Sequence, residues 1–83
     1  MDFDTATEKM KAFTKTPPDN VILELYSLYK QSTVGDCNIE QPVALDLKDK
    51  AKWNAWNEKK GMSQDDARAA YIAAYEKYAP LYA

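Results

Sequence analysis

The chain has 83 residues, a formal net charge of −2 and 46% hydrophobic residues, with no histidine and one cysteine, Cys37. A chain of this size has room for one core, hence a single domain over residues 1–83, and its apolar content at near-zero charge excludes an intrinsically disordered chain. The lack of histidine removes the usual general base at neutral pH, the common zinc ligand and the partner of a Ser or Cys nucleophile, so an enzyme is not expected, and neither catalytic nor metal-ligating residues are assigned.

The first predicted helix covers residues 2–14, with Asp2 as N-cap and Phe3, Ala6, Met10 and Phe13 at helical spacing. Pro17–Pro18 closes it, because a residue before proline avoids the helical region. Asp19 or Asn20 is then the cap of a second helix that runs to about Val34, with Gly35 placed to end it. Residues 35–47 read as a connector, with Ile39, Val43, Leu45 and Leu47 as apolar pins. Its length suits a crossover between helices that are not adjacent antiparallel neighbours. Asp46 is the expected cap of a short third helix that Gly61 terminates. Ser63, with Asp66 three residues on, resembles a capping box. It opens a fourth helix through Ala67, Ala70, Tyr71, Ala74 and Tyr78, which Pro80 is expected to stop. No stretch alternates with period two, so the fold class is all-α, a four-helix bundle.

The second helix carries two apolar faces. Val21, Leu25 and Leu28 make one stripe suited to a core. On the other side lie Ile22, Leu23, Tyr26 and Lys30, with Tyr29 on the boundary, where a surface helix would carry small polar groups. Spacing alone leaves two readings open: packing on another helix, or a groove. In the groove reading, aromatic rings stack on a flat base and an ammonium meets phosphate. Trp53 and Trp56 read as core on spacing, and so does Tyr71. Lys48, Lys50, Lys52, Lys59 and Lys60 crowd one stretch of an otherwise acidic chain, which is a solvated face or an attractor for a compact anion. Asp65–Asp66 reads as a helix first turn, where acidic groups suit the dipole.

Three blocks together resemble the acyl-CoA-binding protein family of small four-helix carriers. They are Tyr26-Ser-Leu-Tyr29-Lys30-Gln31-Ser32-Thr33-Val34-Gly35-Asp36, Lys50-Ala51-Lys52-Trp53-Asn54-Ala55-Trp56, and Gly61-Met-Ser-Gln-Asp-Asp-Ala67 followed by Ala70-Tyr71-Ile72. The resemblance runs over nearly the whole chain without gaps. It implies an up-down-down-up bundle that binds medium- to long-chain acyl-CoA esters as an intracellular carrier or buffer. It further implies that Lys30 and Lys52 meet the 3′-phosphate of the CoA ribose with the Tyr26 hydroxyl assisting. Tyr29 would stack on adenine, Lys11 flank the nucleotide, Tyr71 contact the ligand, and the acyl chain lie beside Ile22 and Leu23. Three positions depart from the family pattern: Gln41 and Thr16 stand where basic residues are common, and Val43 where glycine is usual.

The alternative function is a four-helix protein-interaction module that has lost ligand binding. No cofactor is expected beyond the acyl-CoA ligand. A monomer is expected, with transient contact to enzymes that make or use acyl-CoA. Nucleic acid is disfavoured by the acidic balance, and no apolar run approaches the ~20 residues of a membrane span. The N-terminus is acidic at Asp2 and Asp4, unlike a signal peptide, and the lone cysteine allows no internal disulfide. A cytoplasmic location is therefore the expectation.

Overall fold

A computed structural model of the protein describes residues 1–41 and 47–83 and contains helices α1 (Phe3–Lys11), α2 (Asp19–Thr33), α3 (Leu47–Glu58) and α4 (Gln64–Tyr82). The expected pins Val43 and Leu45, the departure at Val43 and the expected cap Asp46 lie outside the described residues. Among the described residues there is no strand.

Local chemistry starts two of the helices as expected. Oδ1 of Asp2 accepts from the Thr5 N–H at 2.7 Å, and Oγ of Ser63 accepts from the Asp66 N–H at 3.0 Å. Each satisfies one of the donors that a helix start leaves without a partner. The start of α2 differs from expectation. Asp19 is its first residue and Pro18 takes the cap position, with no side-chain cap. The Pro18 carbonyl instead accepts from Val21 and Ile22 N–H groups at 3.0 and 3.1 Å. A proline needs no N–H partner and its φ is already helix-compatible, so it serves here at no hydrogen-bonding cost.

Two further boundaries move for one tertiary reason. Helix α1 ends at Lys11, short of residue 14, because the chain turns away at Ala12 and Phe13. The Thr14 and Lys15 N–H groups then donate to the Tyr82 carbonyl at 3.0 and 3.1 Å. That clamp holds the last turn of α4, so the helix passes through Pro80 rather than stopping there. Pro80 and Glu76 are both exposed, so the carbonyl that Pro80 leaves without a helical donor faces water.

Contacts between helices fix their directions. Phe3 meets Tyr71 while Phe13 meets Tyr75 and Tyr82, so α1 and α4 run parallel. Glu24 pairs with Tyr78 and Ser32 with Gln64, so α2 and α4 run antiparallel. Tyr26 meets Lys52 and Lys30 meets Trp56, so α3 runs parallel to α2. The bundle is up-down-down-up, and the parallel α2–α3 pair requires the long crossover between them. Val21, Leu25 and Leu28 form the core with Ala6, Tyr71, Ala74 and Tyr75, and Phe3, Met10 and Phe13 pack against it.

Among the described residues of the connector, backbone groups make the hydrogen bonds to α3, and the two expected pins that are described stand exposed. Ile39 is 56% exposed and Leu47 80%. Ile39 contributes its carbonyl, which accepts from the Trp53 indole N–H at 3.0 Å. Trp56 is buried and donates to the Gly35 carbonyl at 2.9 Å. Gly35 and Gly61 both adopt positive φ, +98° and +94°, which a side chain would strain. Between them, the Asp36 carboxylate accepts from the Gly61 N–H and the Gln31 amide, each at 2.9 Å, and Gln31 also donates to the Met62 carbonyl at 2.7 Å. The end of α2 is thereby tied to the α3–α4 turn.

Candidate functional site

Because α2 and α3 run parallel, residues four apart on each helix meet in successive rungs. On one rung the Lys52 ammonium lies over the Tyr26 ring, 5.5 Å from its centroid. One turn further on, the Lys30 ammonium lies over the Trp56 ring at 5.1 Å. The sense of the pair reverses between rungs, ring on α2 and cation on α3, then the opposite. Each pair is at the distance of a cation–π attraction worth about 0.5–1 kcal/mol where exposed. Neither lysine has an anionic partner at its ammonium among the described residues, so each is held near its helix yet remains available to an external anion.

On the α1 and α4 side of the Tyr26–Lys52 rung lies a cleft of about 300 Å³, lined by residues of all four helices. Lys52, Lys11, Thr7 and the tyrosines supply its polar groups. Ile22, Leu25, Met10 and the rings of Tyr29 and Tyr71 supply its apolar walls. The volume is at the small end of the range for ligand sites. Lys11 makes an exposed ion pair with Glu8 at 3.4 Å, a contact too weakly stabilising to compete with a bound anion.

Three rings stand together at one wall. Phe3 stacks on Tyr29 with centroids 6.1 Å apart and meets the edge of Tyr71 at 5.1 Å, while Tyr29 and Tyr71 are 6.4 Å apart. Tyr29 is 43% exposed and Tyr71 3%. Burial, then the charge of Asp49, then that of Cys37, push the Tyr26 hydroxyl above its ordinary range. Burial, then Tyr29, push Tyr71 up as well. Both hydroxyls therefore stay protonated at neutral pH and keep an O–H to donate.

Of the eight residues expected at a site, six line this one cleft: Lys11, Ile22, Tyr26, Tyr29, Lys52 and Tyr71. Leu23 instead lines an adjoining cleft of about 230 Å³ with Asp19, Lys48 and Ala51, which shares Ile22 and Lys52 with the first. Lys30 lines neither, since its ammonium is turned to Trp56. Tyr71 belongs to both descriptions, being a member of the core and a wall of the cleft. Thr7, Met10 and Leu25 also line the cleft and were not anticipated there. Met10 carried a signal of a kind, being on the apolar side of α1, but spacing within one helix cannot tell a core wall from a cleft wall. Among the described residues no cluster of His, Cys, Asp or Glu could hold a metal ion, and no helix is long and apolar enough to cross a membrane.

Comparison with known proteins bears on the fold and the family. Residues 1–75 match the family model described as Acyl CoA binding protein. An acyl-CoA-binding protein of Dictyostelium discoideum is 53% identical over 81 residues, covering 98% of this chain and 96% of that protein. Acyl-CoA-binding protein homolog 1 of Caenorhabditis elegans is 45% identical over 82 residues, covering 99% and 95%. The crystal structure of Oryza sativa acyl-CoA-binding protein 2 superposes with a TM-score of 0.88 at 37% identity, covering 94% of this chain and 87% of that one.

Proposed function

Because the chain belongs to the acyl-CoA-binding protein family, we propose that its four-helix cleft takes the nucleotide end of a medium- to long-chain acyl-CoA ester and that the protein serves as an intracellular, cytoplasmic acyl-CoA carrier and buffer. One observation carries this reading. A single cleft combines an exposed stacking ring, Tyr29, with two ammoniums, Lys11 and Lys52, and two protonated hydroxyls, Tyr26 and Tyr71. That is the chemistry a phosphorylated purine nucleotide requires: a π-face for the base, cations and donors for the phosphate.

In this reading adenine stacks on Tyr29, a contact worth about 1–3 kcal/mol by analogy with base–aromatic stacking elsewhere. Lys52 leaves the Tyr26 ring to meet the 3′-phosphate, and the Tyr26 hydroxyl donates to the same group. Lys30, one rung along, swings from Trp56 to add a second positive charge, while Lys11 flanks the nucleotide from α1. The acyl chain lies past Ile22 into the adjoining cleft beside Leu23. Each buried methylene contributes about 0.8 kcal/mol, so affinity rises with chain length. The chain acts by binding, without catalysis or a cofactor, as a monomer that meets acyl-CoA-producing and -using enzymes transiently.

Native mass spectrometry after mixing with palmitoyl-CoA tests this directly. The expected result is a one-to-one complex carrying the intact ester. No adduct would favour a bundle that acts only through protein partners. Appearance of free CoA and palmitate would contradict a non-catalytic carrier.

A further inference from the structure

The cleft explains what Tyr29 would touch but not what aims it. Tyr29 projects from an exposed helix position, and a stacking platform contributes little if its ring must be ordered by the incoming base. Phe3 supplies the order. It is the first residue of α1, directly after the Asp2 cap whose Oδ1 accepts from Thr5 at 2.7 Å. At its other end α1 leads to the clamp on Tyr82 formed by the Thr14 and Lys15 N–H groups. With its backbone fixed at both ends, the Phe3 ring is partly buried against the core. Its edge contact with Tyr71, at 5.1 Å and 66° between planes, ties it to a ring that is itself in the core. Its near-parallel stack on Tyr29, at 6.1 Å and 21°, passes that order outward. Phe3 does not line the cleft.

We propose that Phe3 is a positioning residue for nucleotide recognition: it links the buried Tyr71 to the exposed Tyr29, covers one face of the Tyr29 ring and leaves the other for the base. The inference rests on the acyl-CoA reading above and adds to it the residue that sets the plane of the stacking ring. Loss of the ring at constant apolar character removes the aromatic pairing and should weaken the base contact several-fold. The acyl groove, which Phe3 does not approach, should be unaffected.

The test compares palmitoyl-CoA with S-palmitoyl-4′-phosphopantetheine, which keeps the chain, the thioester and one phosphate but lacks the adenosine with its 3′- and 5′-phosphates. Phe3→Leu is expected to weaken palmitoyl-CoA binding about five-fold and to leave the phosphopantetheine ester within about two-fold, by isothermal calorimetry on protein shown to be folded by circular dichroism. Phe3→Tyr should restore the wild-type preference. Equal weakening of both ligands would mean that Phe3 only supports the fold, and would overturn the proposal. A double-mutant cycle holds even if Phe3→Leu is destabilised. With Tyr29→Leu already present, adding Phe3→Leu should cost no further palmitoyl-CoA affinity, and additive losses would contradict the linkage. If the wild-type chain bound the two esters equally, the nucleotide reading would fail, and this proposal with it.

Discussion

Residues 22–30 and residues 31–36 follow one another along α2 and its exit, yet they meet the rest of the molecule through opposite chemistry. In the second stretch, polar groups are turned inward and matched. Gln31 donates to Asp36 and Met62, Gly61 donates to Asp36, and Trp56 donates to Gly35. Among the described buried side-chain polar atoms, Oε1 of Gln31 alone lacks a partner. In the first stretch the Tyr26 ring and the Lys30 ammonium meet α3 through cation–π contacts with Lys52 and Trp56, and Tyr26 and Tyr29 line the open cleft. A matched polar group stabilises the fold and is unavailable to a ligand, whereas an unmatched one at a cleft is the reverse. A single sequence block thus divides into a part that lines the cleft and a part that holds the helix end in place.

The sharpest way to break this comparison is to attack the holding half. Trp56→Ala removes a ring buried to 2% exposure together with its bond to Gly35. It should cost about 3–5 kcal/mol of unfolding free energy, a large share of what so small a domain has. Urea denaturation measures it, and a loss below about 1 kcal/mol would deny that this region holds α3 in place.

The binding half should respond in the opposite currency. Lys52→Met keeps the apolar stem over Tyr26 but removes the charge. Affinity for palmitoyl-CoA should fall about ten-fold, with a shallower dependence on salt, while the urea midpoint barely moves. Lys30→Ala should do the same more weakly, since Lys30, unlike Lys52, does not line the cleft. Calorimetry at two ionic strengths reads both, and unchanged slopes would remove the phosphate assignment.

A smaller effect separates the halves by pH. The Gly61 N–H and then the Gln31 amide hold the Asp36 carboxyl below its ordinary value of 3.8. The unfolded chain therefore takes up this proton more readily than the folded one. The stability tied to Asp36 is full above that ordinary value and is lost as pH falls through the lower folded one. Asp36→Asn should flatten the acid side of the curve of melting temperature against pH, read from about pH 5 downward. Asp2, held down by Thr5, behaves in the same sense and remains in the variant. Identical acid-side slopes for the two proteins would contradict the assignment.

How much of this was legible in the sequence depends on the range of the interaction responsible. Asp2 and Ser63 were readable as caps because the donor and acceptor lie three residues apart. The two faces of α2 were readable because periodicity records them, and Val21, Leu25 and Leu28 are indeed buried while Ile22, Leu23 and Tyr26 are half-exposed. Pro80 was misjudged because the clamp that carries α4 past it comes from Thr14 and Lys15, more than sixty positions away in the sequence. Ile39 and Leu47 differ from expectation because apolar side chains in a connector suggest anchoring, whereas both are exposed and Ile39 contributes its carbonyl. At the cleft, Tyr71 looked like core by spacing and like a site by resemblance. The structure gives it both places, since a wall of the core can also be a wall of a cleft. Phe3 could not have been linked to Tyr29 by any rule acting within one helix.

In the proposed reading this cleft recognises the CoA head group and the neighbouring groove its acyl chain. Parallel calorimetric titrations of the wild-type protein with palmitoyl-CoA and with free palmitate test it most directly. The expected result is one-to-one binding of palmitoyl-CoA, tighter than palmitate by several orders of magnitude, because only the ester offers phosphates and a base. Equal affinity for the two ligands would contradict it.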